Sequence, residues 1–454
     1  MSYVPHTDAD RQAMLGAIGV RSVDELFTVV PQAARFPEVA LPAPLSEAEV
    51  LRELRDMSEA NADLDHLACF LGAGAYRHYI PSVVQHVIGR SEFYTAYTPY
   101  QPELSQGTLQ TIYEYQSMIC GLTGMDVSNA SHYDGATAMA EAVIMALSVA
   151  RGKRRKAVVS PTVHPEYRAV VRTYIQGTGV EVVGDENPAA DIGSLVSYLD
   201  GETACLMVQV PDFTGALESP STLAALADAA HRVGALFVVC VDPISLGLLK
   251  PPSTYGADIV VGEGQSLGIP LSFGGPYLGF FACREEYVRR MAGRLVGETV
   301  DRQGRRGYVL TLATREQHIR RERATSNICT NQALCALAAA VYLAAVGRRG
   351  LRRVAELCYH NAHYAAAAIS RLPGYQVRQS KPFFKEFAVR CPRPVAEINQ
   401  ALLLDWDIIG GYDLGRDYSH LQGHMLVCVT EMNSRQEIDD LVEALGEIGK
   451  EEAE

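Results

Sequence analysis

Between residues 156 and 283 the chain repeats short apolar, β-branched runs: KAVVS, VEVV, CLMVQV, ALFVVCV, ADIVV and YLGFFAC. None alternates with polar positions, and helix-length stretches such as 165–176 and 221–233 fall between them. Strands that are apolar on both sides, each followed by a helix, predict an α/β fold around an open, mainly parallel sheet covered on both faces. Ahead of them QGTLQTIYEYQSMICGLTG and ATAMAEAVIMALSVA read as helices. The first sixty or so residues carry two amphipathic patterns, 11–30 and 46–61, split by PEVALPAPL, which predicts an N-terminal helical arm over 1–65. Helices at 331–346 and 351–372 follow the sheet. Strands at YQVR, FFKEFAVRC and HMLVCVT, with helices from Pro394 and Ser434, then predict a small C-terminal α+β domain over 349–454 and leave 66–348 as the large domain.

Composition narrows the function more than the fold. The 454 residues are 48% hydrophobic and 20% charged, with no low-complexity tract, as in soluble globular enzymes. With 40 basic against 53 acidic residues, the net charge of −13 offers no excess cation for a nucleic-acid backbone. The 10 cysteines include no C-x-x-C pair and read as buried, reduced thiols. MSYVPHTDADRQ lacks the basic-then-apolar start of a signal peptide, and the longest apolar stretch, 333–346, is short for a bilayer. A cytoplasmic protein without membrane or nucleic-acid partners is expected.

Ligands in open α/β sheets bind beyond the carboxyl ends of strands, and three such places carry chemistry. The turn from Ser131 through His132, Tyr133, Asp134, Gly135 and Thr137 runs into a helix whose start can hold a phosphate. Asp242 follows ALFVVCV, where it can pair with a cationic ring nitrogen or simply cap the turn Pro243-Ile244-Ser245. The third place, Gly262 to Pro270, follows ADIVV. A phosphate-holding helix start, an Asp after one strand and a residue after the next are the spacing of a pyridoxal-phosphate enzyme, whose Schiff-base lysine belongs at the last position. That position is Gln265, and the nearest alternative, Lys250, reads as a solvated loop lysine. No covalent cofactor is expected on this chain.

The strings FLGAGAYRHYIP, YTPYQPELSQGTLQTIYEYQ, SHYDGATA, GEGQSLGIPLSFGGPYLGFF, GRLVGETVD and GYVLTLATREQHIRRERATSNICTNQAL, with the opening SYVPHT, closely resemble the alpha-subunit side of the split glycine cleavage system P-protein family. The resemblance runs in order along nearly the whole chain. It implies pyridoxal-phosphate fold type I, the aspartate-aminotransferase-like fold, and an alpha subunit lacking the Schiff-base lysine beside a beta subunit that carries it. The family's His-Lys-Thr pattern aligns with Gly264-Gln265-Ser266, so His132, Tyr133, Gly135, Thr137, Asp242 and Gln265 become a degenerate cofactor site.

The resemblance further implies an αβ pair doubled to α2β2, with pyridoxal phosphate on the beta subunit. Together the two would decarboxylate glycine and pass its aminomethyl group to the lipoyl group of the H protein, as EC 1.4.4.2, glycine dehydrogenase (aminomethyl-transferring), while this chain alone would be inactive. Sites in this fold are built by both chains of a dimer. Tyr97, Thr98, Tyr100 and Gln101 of the YTPYQ loop, Thr325, Ser326 and Asn327 of the ATSN segment, and His78 are therefore expected to line a shared site. The Arg-rich stretch 284–323 would guide an acidic carrier or form a solvated face. Two other readings remain open here: a non-catalytic assembly subunit, and a stand-alone pyridoxal-phosphate lyase using Lys250 or a cysteine.

Overall fold

A computed structural model describes residues 5–35, 38–378 and 381–450; the first half of the SYVPHT opening, residues 2–4, lies outside them. Two compact units emerge, Met1–Asp63 and Leu64–Glu454.

The first unit holds α1 (Asp8–Ile18) and α2 (Glu47–Glu59), each opened by a reciprocal capping box, Thr7 with Asp10 and Ser46 with Glu49. The helix expected over 11–30 is interrupted. Gly19, at φ 88°, closes α1 with its N–H on the Leu15 and Gly16 carbonyls, and only a short 3₁₀ turn, Val23–Phe27, follows.

In the second unit α3 (Gln106–Thr123) leads to β1 (Val127–Ser128), α4 (Gly135–Val149), β2 (Lys156–Val159), α5 (Pro165–Ile175) and β3 (Glu181–Val183). Then come β4 (Thr203–Val210), α6 (Pro220–Arg232), β5 (Leu236–Val241), β6 (Ile259–Glu263) and β7 (Gly279–Cys283). The sheet order is β1-β7-β6-β5-β4-β2-β3. Strands β2 to β6 are parallel, while β7 runs antiparallel to both β6 and β1, so the sheet is mixed at one edge. All of β5 is buried and its side chains alternate between two cores. Phe237, Val239 and Val241 pack in the cluster that contains Ala336 and Tyr342, and Val238 and Cys240 in the one that contains Ala138, Ala142 and Met145 of α4. This two-sided burial explains the absence of polar alternation in the strand sequences.

An antiparallel ribbon, β8 (Leu295–Val300) and β9 (Arg306–Thr311), was not legible in the Arg-rich stretch; Val296 and Tyr308 pack it on Leu109 and Ile112 of α3. The helices expected at 331–346 and 351–372 join as α7 (Ala333–Ile369), interrupted by the non-helical Gly347. By length and composition α7 is apolar enough to cross a membrane, yet Ala336 to Ala340 and Tyr342 are buried in the sheet's core cluster. The chain ends with β10 (Gln376–Val377), β11 (Glu386–Arg390), α8 (Val395–Trp406), β12 (Tyr412–Asp413), β13 (His424–Cys428) and α9 (Arg435–Ile448). The four strands form an antiparallel sheet, β10-β11-β13-β12.

Candidate functional site

The carboxyl ends of β5 and β6 bring Asp242 and Gln265 beside the start of α4, as the spacing requires. The details close the site instead of opening it. Gln265 is 2% exposed and its amide is fully used: Nε2 donates to the carbonyls of Tyr76 (3.0 Å) and Ile269 (2.7 Å), and Oε1 accepts from the Tyr76 N–H (2.9 Å). A Gln here staples the segment around Tyr76 across the place a lysine would reach into.

The start of α4 is also occupied. Asp134 caps the helix by accepting from the Thr137 N–H (2.8 Å), and Glu263 accepts from the Gly135 N–H (2.9 Å). Glu263 takes two further backbone N–H groups, from Gln265 and Leu278, at 2.9 Å each. Burial pushes its carboxyl up to about 8 despite these donors. Gly135 has to be glycine because a Cβ would lie 2.5 Å from the Tyr167 hydroxyl and 2.9 Å from the Glu263 nitrogen. Where a phosphate would need free donors, two acidic side chains of the chain already take the N–H groups of Gly135 and Thr137.

Asp242 both caps its turn, accepting from the Ile244 N–H at 3.0 Å, and forms an ion pair, with Oδ2 2.8 Å from Lys385 Nζ. A small cavity of about 40 Å³ remains among Tyr76, His164, Tyr167 and Asp242. Pyridoxal phosphate therefore does not fit the residues present: there is no amine at Gln265, two of the first donors of α4 are taken by Asp134 and Glu263, and Asp242 is paired with Lys385.

Lys385 is the functional-site residue that sequence reasoning missed. It is 2% exposed, its Nζ 3.4 Å from the centre of the Tyr76 ring and 3.1 Å from His78 Nε2. His78, expected to line a shared site, is buried, its Nδ1 2.8 Å from Glu431 Oε2. Because the ammonium can only donate, His78 accepts at Nε2 and carries its proton on Nδ1, toward Glu431. Glu431 also accepts from the Tyr79 N–H (2.8 Å) and the Cys358 thiol (3.2 Å). Burial would raise its carboxyl, but the bonds from His78 and Tyr79 prevail and bring it to about 2. The ligand atoms of His78, Cys358 and Glu431 lie within 4.8 Å of one another, as a metal would need. The Lys385 ammonium on the far side of the imidazole supplies positive charge there already. The signal that could have found Lys385 is the charged pair Lys-Glu inside the apolar run FFKEFAV.

His132 is fully buried, its ring 5.0 Å from that of Phe281. Asn129 Oδ1 accepts from the Ser131 N–H, which fixes its Nδ2 as the donor to His132 Nε2 at 3.1 Å. Burial lowers His132 to about 3, so the imidazole is neutral with its hydrogen on Nδ1. His132, Tyr133 and Thr137 line a cavity of about 320 Å³ with Glu141, Tyr174 and Asn327. Ser326 donates to Glu141, whose carboxyl burial pushes up to about 7.

The YTPYQ loop lies elsewhere, on a groove of about 190 Å³ where Tyr97 and Thr98 meet Arg294, Thr330 and Asn331. Tyr97 is 82% exposed, and Tyr100 and Gln101 are exposed beside it. Arg294, 3% exposed, clamps the groove: it donates to the Asn331 side chain (2.9 Å) and the Cys329 carbonyl (2.6 Å), with its guanidinium 5.8 Å from the Tyr100 ring. The 324–331 segment thus connects the two features, with Asn327 at the cavity and Asn331 at the groove, and the half-buried Thr325 beside them. Lys250 is an exposed loop residue.

Comparison with known proteins decides the family. The sequence model of the glycine cleavage system P-protein matches residues 1–445. The chain belongs to that family. Among P-protein relatives it is 55% identical over 451 residues to a protein of Desulforamulus reducens named "Probable glycine dehydrogenase (decarboxylating) subunit 1", covering 99% of this chain and 100% of that one. A protein of the same name from Thermomicrobium roseum is 57% identical over 450 residues, covering 98% and 99%. The crystal structure of a glycine decarboxylase (P-protein) in inhibitor-bound form superimposes with a TM-score of 0.88 at 44% identity, covering 99% and 100% of the two chains. Glutamate decarboxylase of Lactobacillus brevis, 13% identical with a TM-score of 0.66, shares the fold alone. The P-protein chain thus has pyridoxal-phosphate fold type I.

Proposed function

We propose that this P-protein chain is the alpha subunit of a split, cytoplasmic glycine dehydrogenase (decarboxylating), paired with a beta subunit as α2β2. The observation that carries this reading is the closure of the chain's own site around Gln265, beside an open groove at Tyr97 and Thr98. Pyridoxal phosphate, held by the beta subunit, supplies the electron sink for loss of CO₂ from glycine, and the aminomethyl group passes to the lipoyl group of the H protein.

This chain's part is to complete the partner's site. Thr98 and Asn327 offer a hydroxyl and an amide as donors to a substrate carboxylate, and Tyr97 and Tyr100 form a wall that excludes water. Arg294 positions the groove by holding the 329–331 backbone against the YTPYQ loop. Arg302, Arg306, Arg320 and Arg321 are exposed and have no ion pair among the described residues, a surface suited to an acidic lipoyl carrier.

The test is reconstitution. The purified chain with pyridoxal phosphate and lipoylated carrier should release no CO₂ from glycine until a beta subunit is added. Thr98→Ala with Asn327→Ala should then cut turnover of the complex at least tenfold. Wild-type turnover with both replaced would make this an assembly subunit with no share in the site, and activity of the chain alone would overturn the paired reading altogether.

A further inference from the structure

The closed site contains a cation in the place where a cofactor ring would put one. Asp242 stands at the carboxyl end of β5, where a pyridoxal-phosphate enzyme uses an acidic side chain to hold a protonated ring nitrogen. In this chain its Oδ2 lies 2.8 Å from Lys385 Nζ, and both side chains are sealed, 10% and 2% exposed. We propose that Lys385 is an internal ligand of the cofactor-ring position: its ammonium takes the place of the ring cation against Asp242 and makes this a preformed site for a primary ammonium group, filled by the chain itself.

Every side of the ammonium is accounted for. Asp242 neutralises it, His78 Nε2 accepts from it at 3.1 Å, and the face of Tyr76 covers it at 3.4 Å. Tyr76 is itself fixed, its backbone by Gln265 and its hydroxyl by Glu386 Oε2 at 2.8 Å. Lys385 is held at the root as well, since its carbonyl accepts from the Val429 N–H at 2.9 Å, next to the ladder of β11 and β13. Burial works against the charge, yet Asp242 keeps the ammonium above its ordinary value.

The retention of both charges needs an explanation, because a buried ion pair is seldom better for stability than a well-packed apolar pair. Asp242 is the fixed member: its Oδ1 caps the turn after β5, so its carboxylate stays. Without a bound cation that carboxylate would be buried and uncompensated, and Lys385 supplies the missing charge. Removing one member should therefore be far worse than removing both.

The proposal is tested on the full-length chain by urea denaturation of Lys385→Ala and of Lys385→Ala with Asp242→Asn. The side chain deleted beyond Cβ is n-propylammonium, so that ion is the probe and 1-propanol its neutral control. The single variant should lose roughly a hundredfold or more in its folding equilibrium. n-Propylammonium chloride should recover at least tenfold of this in a saturable way, without a comparable effect on the wild type or the double variant. Recovery no greater than with 1-propanol, or equal recovery in the double variant, overturns the proposal. If Lys385→Ala does not fold, Lys385→Met alone and with Asp242→Asn decides: the double should be more soluble and more stable than the single. A double no better than the single, or a single as stable as the wild type, sinks the idea.

Discussion

The cluster at the ends of β5 and β6 and the groove under the YTPYQ loop use the same chemical vocabulary, tyrosine, cation and amide, to opposite ends. In the cluster Tyr76, Gln265, His78 and Lys385 spend their polar atoms on one another, and the remaining space is about 40 Å³. In the groove Tyr97 is 82% exposed and Gln101 is exposed, over a floor where Ile112, Leu337 and the clamp, Arg294, are buried. A strand-end site can thus be kept as core, while a groove elsewhere on the chain leaves its polar side chains exposed. Satisfaction of polar groups, more than residue type, separates the two.

If that contrast is real, substitutions on the two sides must fail differently. The largest effect on stability should come from Glu431→Ala, which strips His78 Nδ1, the Tyr79 N–H and the Cys358 thiol of their shared acceptor. A loss of about 3 kcal/mol is expected from urea denaturation of the chain, and a loss below about 1 kcal/mol would mean that the cluster is not the closed network described. Tyr97→Ala should do the reverse, leaving stability within about 0.5 kcal/mol while weakening association with the beta subunit by roughly 1–2 kcal/mol. Titration calorimetry showing unchanged affinity would remove the groove from the interface.

The smallest effect sharpens the boundary between the two regions. Glu141 lies beneath the 324–331 segment and has its carboxyl raised to about 7 by burial. Between its unfolded value of about 4.5 and that folded value the native state holds the extra proton, so stability falls as pH rises through this window. Glu141→Gln should therefore leave stability nearly unchanged at pH 5 and raise it by up to about 1 kcal/mol at pH 8. Thermal unfolding at both pH values with no difference in the variant's gain would show that Glu141 is not held protonated.

How far the sequence carried the reading depended on the range of the interactions. Asp242 and Gln265 were legible because strand ends can be read from local patterns, and the helices at 331–346 and 351–372 because only Gly347 divides them. Lys385 was harder to read: its partners are remote, His78 by 307 positions, and the Lys-Glu pair inside the apolar run FFKEFAV is the one local sign that it is buried. The ribbon β8–β9 escaped because Gly297 and Gly307 break up its two short strands, and the packing of Val296 and Tyr308 on α3 that marks its inner face is long-range. The surroundings of His78 were hidden in the same way, since Glu431 and Lys385 both come from the far end of the chain.

The bonds of Gln265 bear on the history of the family. A single base change turns a glutamine codon into a lysine codon, so the amine is always one mutational step away. A lysine there would enter a space already closed by Tyr76, lose the two acceptor carbonyls and the N–H donor the amide satisfies, and face an Asp242 already paired with Lys385. The neighbours of Gln265 thus act as a ratchet against a single-step return of the amine.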